Sequence, residues 1–186
     1  TGVESLKYIA NSNNTDAAET TSFNLSKTDA TTVAVGSSTA NNTTVNLTKV
    51  ADGQKIELGA GAAAGFANSS ILNVTMTSAV GAADALTLSL VNTDASQGTI
   101  DVNAAGVEAL TLTAAATAET HKLDLAGVTA TATKTTAITV NGGKAAVDLT
   151  LTAIDSTVNA IDASAFLGDL VMSASSSTAK TITSAA

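Results

Sequence analysis

The chain has 186 residues, with 16 Asp and Glu against 8 Lys and no Arg, and its formal net charge of -8 excludes the basic footprint that phosphate recognition needs. It has no Cys and no Pro, so disulfides and thiolate metal sites are out, while 45% hydrophobic content is enough to build a core. Aromatics make up only 2% (Tyr8, Phe23, Phe66, Phe166), which leaves few walls for a ligand pocket and predicts a thin core of Ala, Val, Leu and Ile.

The chain starts Thr1-Gly2-Val3-Glu4-Ser5-Leu6-Lys7, without a basic stretch leading into a long apolar run, so no secretory signal is expected here. We expect a soluble segment of a longer protein. The weakly apolar stretch 59–67 is Ala and Gly and far short of the roughly 20 residues of a membrane helix, so the chain is expected not to span a membrane.

From there the chain repeats one local pattern, an aliphatic residue, a small polar one, another aliphatic, then a turn. Alternation of this kind is the period-two mark of a half-buried strand. It predicts strands centred on Phe23 and Leu25, Val33 and Val35, Val45 and Leu47, Ile56 and Leu58, and Val74 and Met76. Further along it predicts strands at Leu86–Leu90, Ile100 and Val102, Leu110 and Leu112, Leu123 and Leu125, Ile138 and Val140, Leu149 and Leu151, Leu170 and Met172, and Ile182. Thr fills many alternate positions, and its branched Cβ favours extended backbone. Turn formers such as Ala51-Asp52-Gly53, Asn92-Thr93-Asp94 and Asn103-Ala104-Ala105-Gly106 separate the strands. Two segments read differently: 59–70 as a loop or short helical turn, and 153–167 as a possible short helix, because Ile154, Val158, Ile161 and Ala165 fall at helical spacing.

The fold class is therefore all-β. Ala85-Leu86-Thr87-Leu88 and Ala109-Leu110-Thr111-Leu112 recur after about two dozen residues, each followed by a second strand, as in the coils of a β-solenoid resembling a parallel β-helix. Asn141-Gly142 is a hairpin signal and keeps an antiparallel β-sandwich as the alternative. The first part of the chain is richer in Asn and Thr and repeats less cleanly, so we expect an N-terminal β subdomain over 1–65 and a β-strand-repeat domain over 66–186.

Residues for chemistry are few. His121 is the one histidine, no Gly-x-Ser-x-Gly turn accompanies it, and we expect it as a solvated residue at a strand edge. No enzymatic activity is expected. The carboxylates carry more information. Asp101, Asp124 and Asp148 each lie between two aliphatics and should point outward; stacked about 4.8 Å apart, they would repel by roughly 1–3 kcal/mol. A bound calcium, which takes oxygen ligands, would reverse that cost. Asp148, Asp155, Asp162 and Asp169 recur every seven residues, and Asp94 and Asp52 in turns add further ligand candidates. Two arrangements stay open for these residues: calcium ligands, or staggered and solvated side chains. Neither an EF-hand loop nor a Gly-Gly-x-Gly-x-Asp nonapeptide is present. Thr-x-Thr pairs such as Thr111 with Thr113 would form outward ladders, and Asn-x-Ser/Thr triplets at Asn46, Asn73 and elsewhere follow from composition.

At Gly106-Val107-Glu108-Ala109-Leu110-Thr111-Leu112-Thr113 and at Ile161-Asp162-Ala163-Ser164-Ala165-Phe166-Leu167-Gly168-Asp169-Leu170, the chain resembles the β-strand-repeat region of large bacterial surface-layer (S-layer) and related RTX-type secreted proteins. The resemblance covers mainly Ser78 to Ala186. It implies an extracellular structural protein at the bacterial cell surface, whose partners are other copies of itself in a two-dimensional lattice, often with calcium at the contacts. The alternative from another class is a surface adhesin or carbohydrate-binding segment, with cell-surface polysaccharide as partner.

Overall fold

The computed structural model describes residues 4–10, 19–37, 43–61, 65–66, 69–78, 83–93, 98–115, 119–130, 134–144, 147–175 and 180–184. Fifteen strands lie within them: β1 (Ser5–Ala10), β2 (Glu19–Asn24), β3 (Thr32–Ser37), β4 (Thr43–Val50), β5 (Lys55–Leu58), β6 (Ile71–Met76), β7 (Ala85–Leu90), β8 (Ile100–Ala105), β9 (Ala109–Ala114), β10 (Thr120–Thr129), β11 (Thr136–Gly142), β12 (Asp148–Ile154), β13 (Val158–Phe166), β14 (Asp169–Ala174) and β15 (Thr181–Ser184).

The odd strands form one eight-stranded sheet in the order β1-β3-β5-β7-β9-β11-β13-β15, and the even strands form a seven-stranded sheet from β14 back to β2. Every described pairing is parallel and joins strand n to strand n+2, so each coil gives one strand to each sheet. This is a β-solenoid. The rise from coil to coil varies, from 20 residues between Ile154 and Ala174 to 32 between Lys55 and Thr87, because the turns absorb insertions while the strands hold register.

Alternation explains the packing. Parallel sheets are usually covered on both faces by helices, but here each sheet's inner face covers the other's, so the strands keep a clean inside-outside pattern. Leu86, Leu110, Ile138 and Ile161 stack in register across β7, β9, β11 and β13, and each is no more than 1% exposed. A second column runs Val33, Ile56, Leu88, Leu112, Val140. The seven-stranded sheet opposes them with Leu47, Val74, Ala104 and Val128 in register. Removing one such side chain to Ala costs about 2–5 kcal/mol.

Three expectations are corrected. The antiparallel sandwich is excluded by the parallel ladders. Asn141-Gly142 closes no hairpin: it ends β11, where Gly142 and Gly143, at φ 79° and 74°, turn the chain toward β12 in the other sheet. The segment 153–167 holds strand β13 and not a helix. There the register against β11 slips between Thr136 and Ala137 and again between Thr139 and Asn141, so the buried residues fall at Val158, Ile161, Ala163 and Phe166. Two bulges thus stretch a period of two into spacings of three, which imitate a helical face. The pairs β4–β6 and β5–β7 carry both sheets across the expected 65/66 boundary.

Candidate functional surfaces

With the inner faces filled, chemistry is left to the outer faces and the corners. On the eight-stranded sheet, one outward row runs Thr32, Lys55, Thr87, Thr111, Thr139, Asp162, Thr183, and beside it lies Ala85, Ala109, Ala137, Ala160. Thr113 lies beside Thr111 on the same outer face, paired with Ser89 and Asn141. The surface is a field of mostly small side chains, interrupted on β5 by the Lys55–Glu57 ion pair at 2.6 Å.

The seven-stranded sheet carries a different outer row. Ser22, Asn46, Asn73 and Asn103 occupy one register position on β2, β4, β6 and β8. Each amide bonds the next: Asn46 Nδ2 donates to Ser22 Oγ at 3.0 Å, Asn73 Nδ2 to Asn46 Oδ1 at 2.7 Å, and Asn103 Nδ2 to Asn73 Oδ1 at 2.8 Å. The row ends at Gly127, which pairs with Asn103, and a Cβ there would meet Asn103 Oδ1 at 1.9 Å. Asn46 and Asn73 are acceptor triplets for glycosylation by pattern, yet both amide nitrogens are committed to the ladder.

The expected carboxylates separate into distinct settings. Asp101 and Asp124 are brought together as register partners on β8 and β10. Burial against the sheet first, and the Asp124 charge second, hold the Asp101 carboxyl above the ordinary carboxylate range. Asp148 does not join them: it pairs with Thr120 on one side and with Asp169 on the other, a second exposed pair lower in the same sheet. Asp155 sits in the turn before β13, and its Oδ1 accepts the backbone N–H of Thr157 at 2.8 Å, which holds it below the usual range. Asp162 faces outward on the opposite sheet, accepting the N–H of Ser164 at 3.0 Å, and is lowered for the same reason. The seven-residue spacing therefore spreads its members over a turn and both sheets. Asp94 lies outside the described residues. Among the described residues no group of three or more His, Cys, Asp or Glu side chains converges to hold a metal.

His121 corrects its expectation. It is 0% exposed, and its Nδ1 lies 2.5 Å from the Thr93 hydroxyl. The alternation of β10 decides this: His121 shares the inward phase of Leu123 and Leu125, so a strand beginning one residue earlier turns the ring into the core beside Leu149.

The outer hollows are shallow and placed at corners. One of about 390 Å³ is lined by Thr28, Asp29, Lys49, Asp52 and Gln54 among others. Gln54 is committed there to structure, donating to Ala30 O at 2.6 Å and accepting from Ala51 N at 3.1 Å.

The amide ladder is the feature that periodicity alone missed. Its signal lies in the triplets Val45-Asn46-Leu47, Leu72-Asn73-Val74 and Val102-Asn103-Ala104, where Asn takes the outward slot of successive even strands. No helix among the described residues is long and apolar enough to cross a membrane. No protein-family model, curated protein or solved structure matches the chain.

Proposed function

We propose that this chain is a structural module of a bacterial surface layer, displayed outside the cell and assembling with copies of itself into a two-dimensional lattice, with calcium at some contacts. The observation that supports this reading is the form of the molecule's outside. Two broad faces of Thr, Ala, Asn and Asp run along a rigid solenoid, and its polar rows are built from residues that bind other surfaces more readily than they do chemistry.

The role is a scaffold's, not a catalyst's.

Negative-stain microscopy and light scattering of the purified chain, with millimolar calcium and with chelator, test the proposal. Ordered sheets that form with calcium and dissolve on chelation support it. A chain that stays monomeric in both conditions at high concentration refutes it.

A further inference from the structure

One corner of the solenoid gathers carboxylates that belong to none of the outward rows. Asp52 lies in the turn between β4 and β5, Asp84 immediately precedes β7, and Glu108 immediately precedes β9. The ladders bring them into one stack: Gly53 N donates to Ala85 O at 2.9 Å, and Glu108 N donates to Asp84 O at 2.9 Å. Two of the carboxylates hold successive backbone amides of the same strand start, with Asp84 N donating to Glu108 Oε2 at 2.9 Å and Ala85 N donating to Asp52 Oδ1 at 2.7 Å.

Asp84 itself is out of place by ordinary rules. It is 7% exposed, and its Oδ2 is buried with no hydrogen-bond partner. A buried ionised carboxylate oxygen left unpaired is strongly disfavoured unless a cation or a proton joins it. Asp84 also lines a hollow of about 270 Å³ at this corner, together with Asp52, Thr77 and Ser78. Val50, Ala51 and Met76 complete its wall, so the oxygens available there are confined to the carboxylates of Asp52 and Asp84, the hydroxyls of Thr77 and Ser78, and backbone carbonyls.

We propose that this corner is a binding site for a hard divalent cation, calcium in the first place, with Asp84 Oδ2 as the anchoring ligand and Asp52 as the second carboxylate. Calcium completes its shell with hydroxyls, backbone carbonyls and water at 2.3–2.6 Å, so a site of this kind does not need three acidic side chains. A bare cation also approaches an oxygen more closely than a water molecule does. The ion would neutralise Asp84 and tie Asp52 in the β4–β5 turn to the start of β7. Of the carboxylates expected from the sequence only Asp52 takes part, and the proposal is independent of lattice assembly.

Calorimetric titration with calcium and with magnesium, and thermal melting at protein concentrations too low for assembly, test it. The wild-type chain should take up calcium and melt about 5–10 °C higher once the ion is a hundredfold above its dissociation constant. Asp84→Asn should lose at least tenfold in affinity, while Asp124→Asn on the seven-stranded sheet should bind as wild type does. If Asp84→Asn fails to fold by circular dichroism, Asp52→Asn decides, because the amide oxygen still accepts from Ala85 N while the charge is gone. No uptake by the wild-type chain at about 10 mM calcium, tenfold above the weakest extracellular calcium modules, overturns the proposal. So does unchanged binding in both variants. Failure to form sheets while calcium still binds would count against the lattice reading and leave this site standing.

Discussion

Replacing Asn73 by Ala tests whether the outward amide ladder holds the coils together or only decorates them. Asn73 gives one hydrogen bond to Asn46 and receives one from Asn103, at 2.7 and 2.8 Å. A net 0.5–1.5 kcal/mol per bond, taken toward the lower half because the row faces solvent, sets a loss of about 1–2 kcal/mol. Asn and Ala are both poor strand formers, so propensity contributes little to the difference. Urea unfolding followed by far-UV circular dichroism reads the loss directly, and in melting it should lower Tm by about 2–8 °C for a chain of this size. The pair Asn46→Ala and Asn73→Ala supplies the sharper measurement, since both report on one shared bond. Their double-mutant cycle should give about 0.5–1 kcal/mol of coupling. A loss for Asn73→Ala within about 0.5 kcal/mol, the usual range of a featureless surface substitution, together with additive double-mutant behaviour, would refute the argument that the ladder bears stability.

The two kinds of carboxylate should respond to pH with opposite signs. Asp101 binds its proton more tightly folded than unfolded, so its charge disfavours the fold once the pH exceeds the ordinary carboxylate range. Asp101→Asn should therefore stabilise at neutral pH by about 1 kcal/mol or less, and chemical denaturation should show the gain vanish as the pH drops through that range. Asp155 is held low by the N–H of Thr157, so its contribution is present at neutral pH and is lost as acid protonates it; Asp155→Ala should cost about 1 kcal/mol at pH 7 and progressively less as the pH falls below the ordinary carboxylate range. Ala153 sits at a bulge with φ 51°, where a left-handed backbone costs a side-chain-bearing residue about 1–2 kcal/mol against about 0.5–1 kcal/mol of extra chain entropy for Gly. Ala153→Gly should raise Tm by 1–2 °C, and a lower Tm would show that the bulge is not strained. Gly127→Ala should destabilise by driving a methyl into the amide of Asn103, and Asn103→Ala should recover part of that loss.

What the sequence made legible follows from what a strand constrains. Thirteen of the fifteen strands are readable because an inward slot tolerates only an aliphatic residue, and that demand writes period two into the chain. The two missed strands lack the clean signal: β1 has Leu6, Tyr8 and Ile9 only half-buried at the open end of the sheet, and β13 is stretched by its bulges. Outward slots carry no such demand. Counting residues along the chain made Asp148, Asp155, Asp162 and Asp169 look like a set, whereas turns of unequal length decide which outward residues become neighbours. Asp101 and Asp124 are 23 residues apart and meet, while Asp155 and Asp162 are 7 apart and do not.

Lateral neighbours in a solenoid are set by the length of each coil, and that length is known only once the turns are placed. Asn46, Asn73 and Asn103 are 27 and then 30 residues apart, so no single repeat length aligns them, yet the ladders put them in one hydrogen-bonded row. Asp84 shows the same at a corner. It follows a stretch of Ser, Ala, Val and Gly that carries no signal, and its burial arises because Asp52 and Glu108 arrive from the coils before and after it. Sites in such a fold are assembled across coils rather than along the chain, so an isolated acidic residue preceding an aliphatic strand is the place to look for the next one.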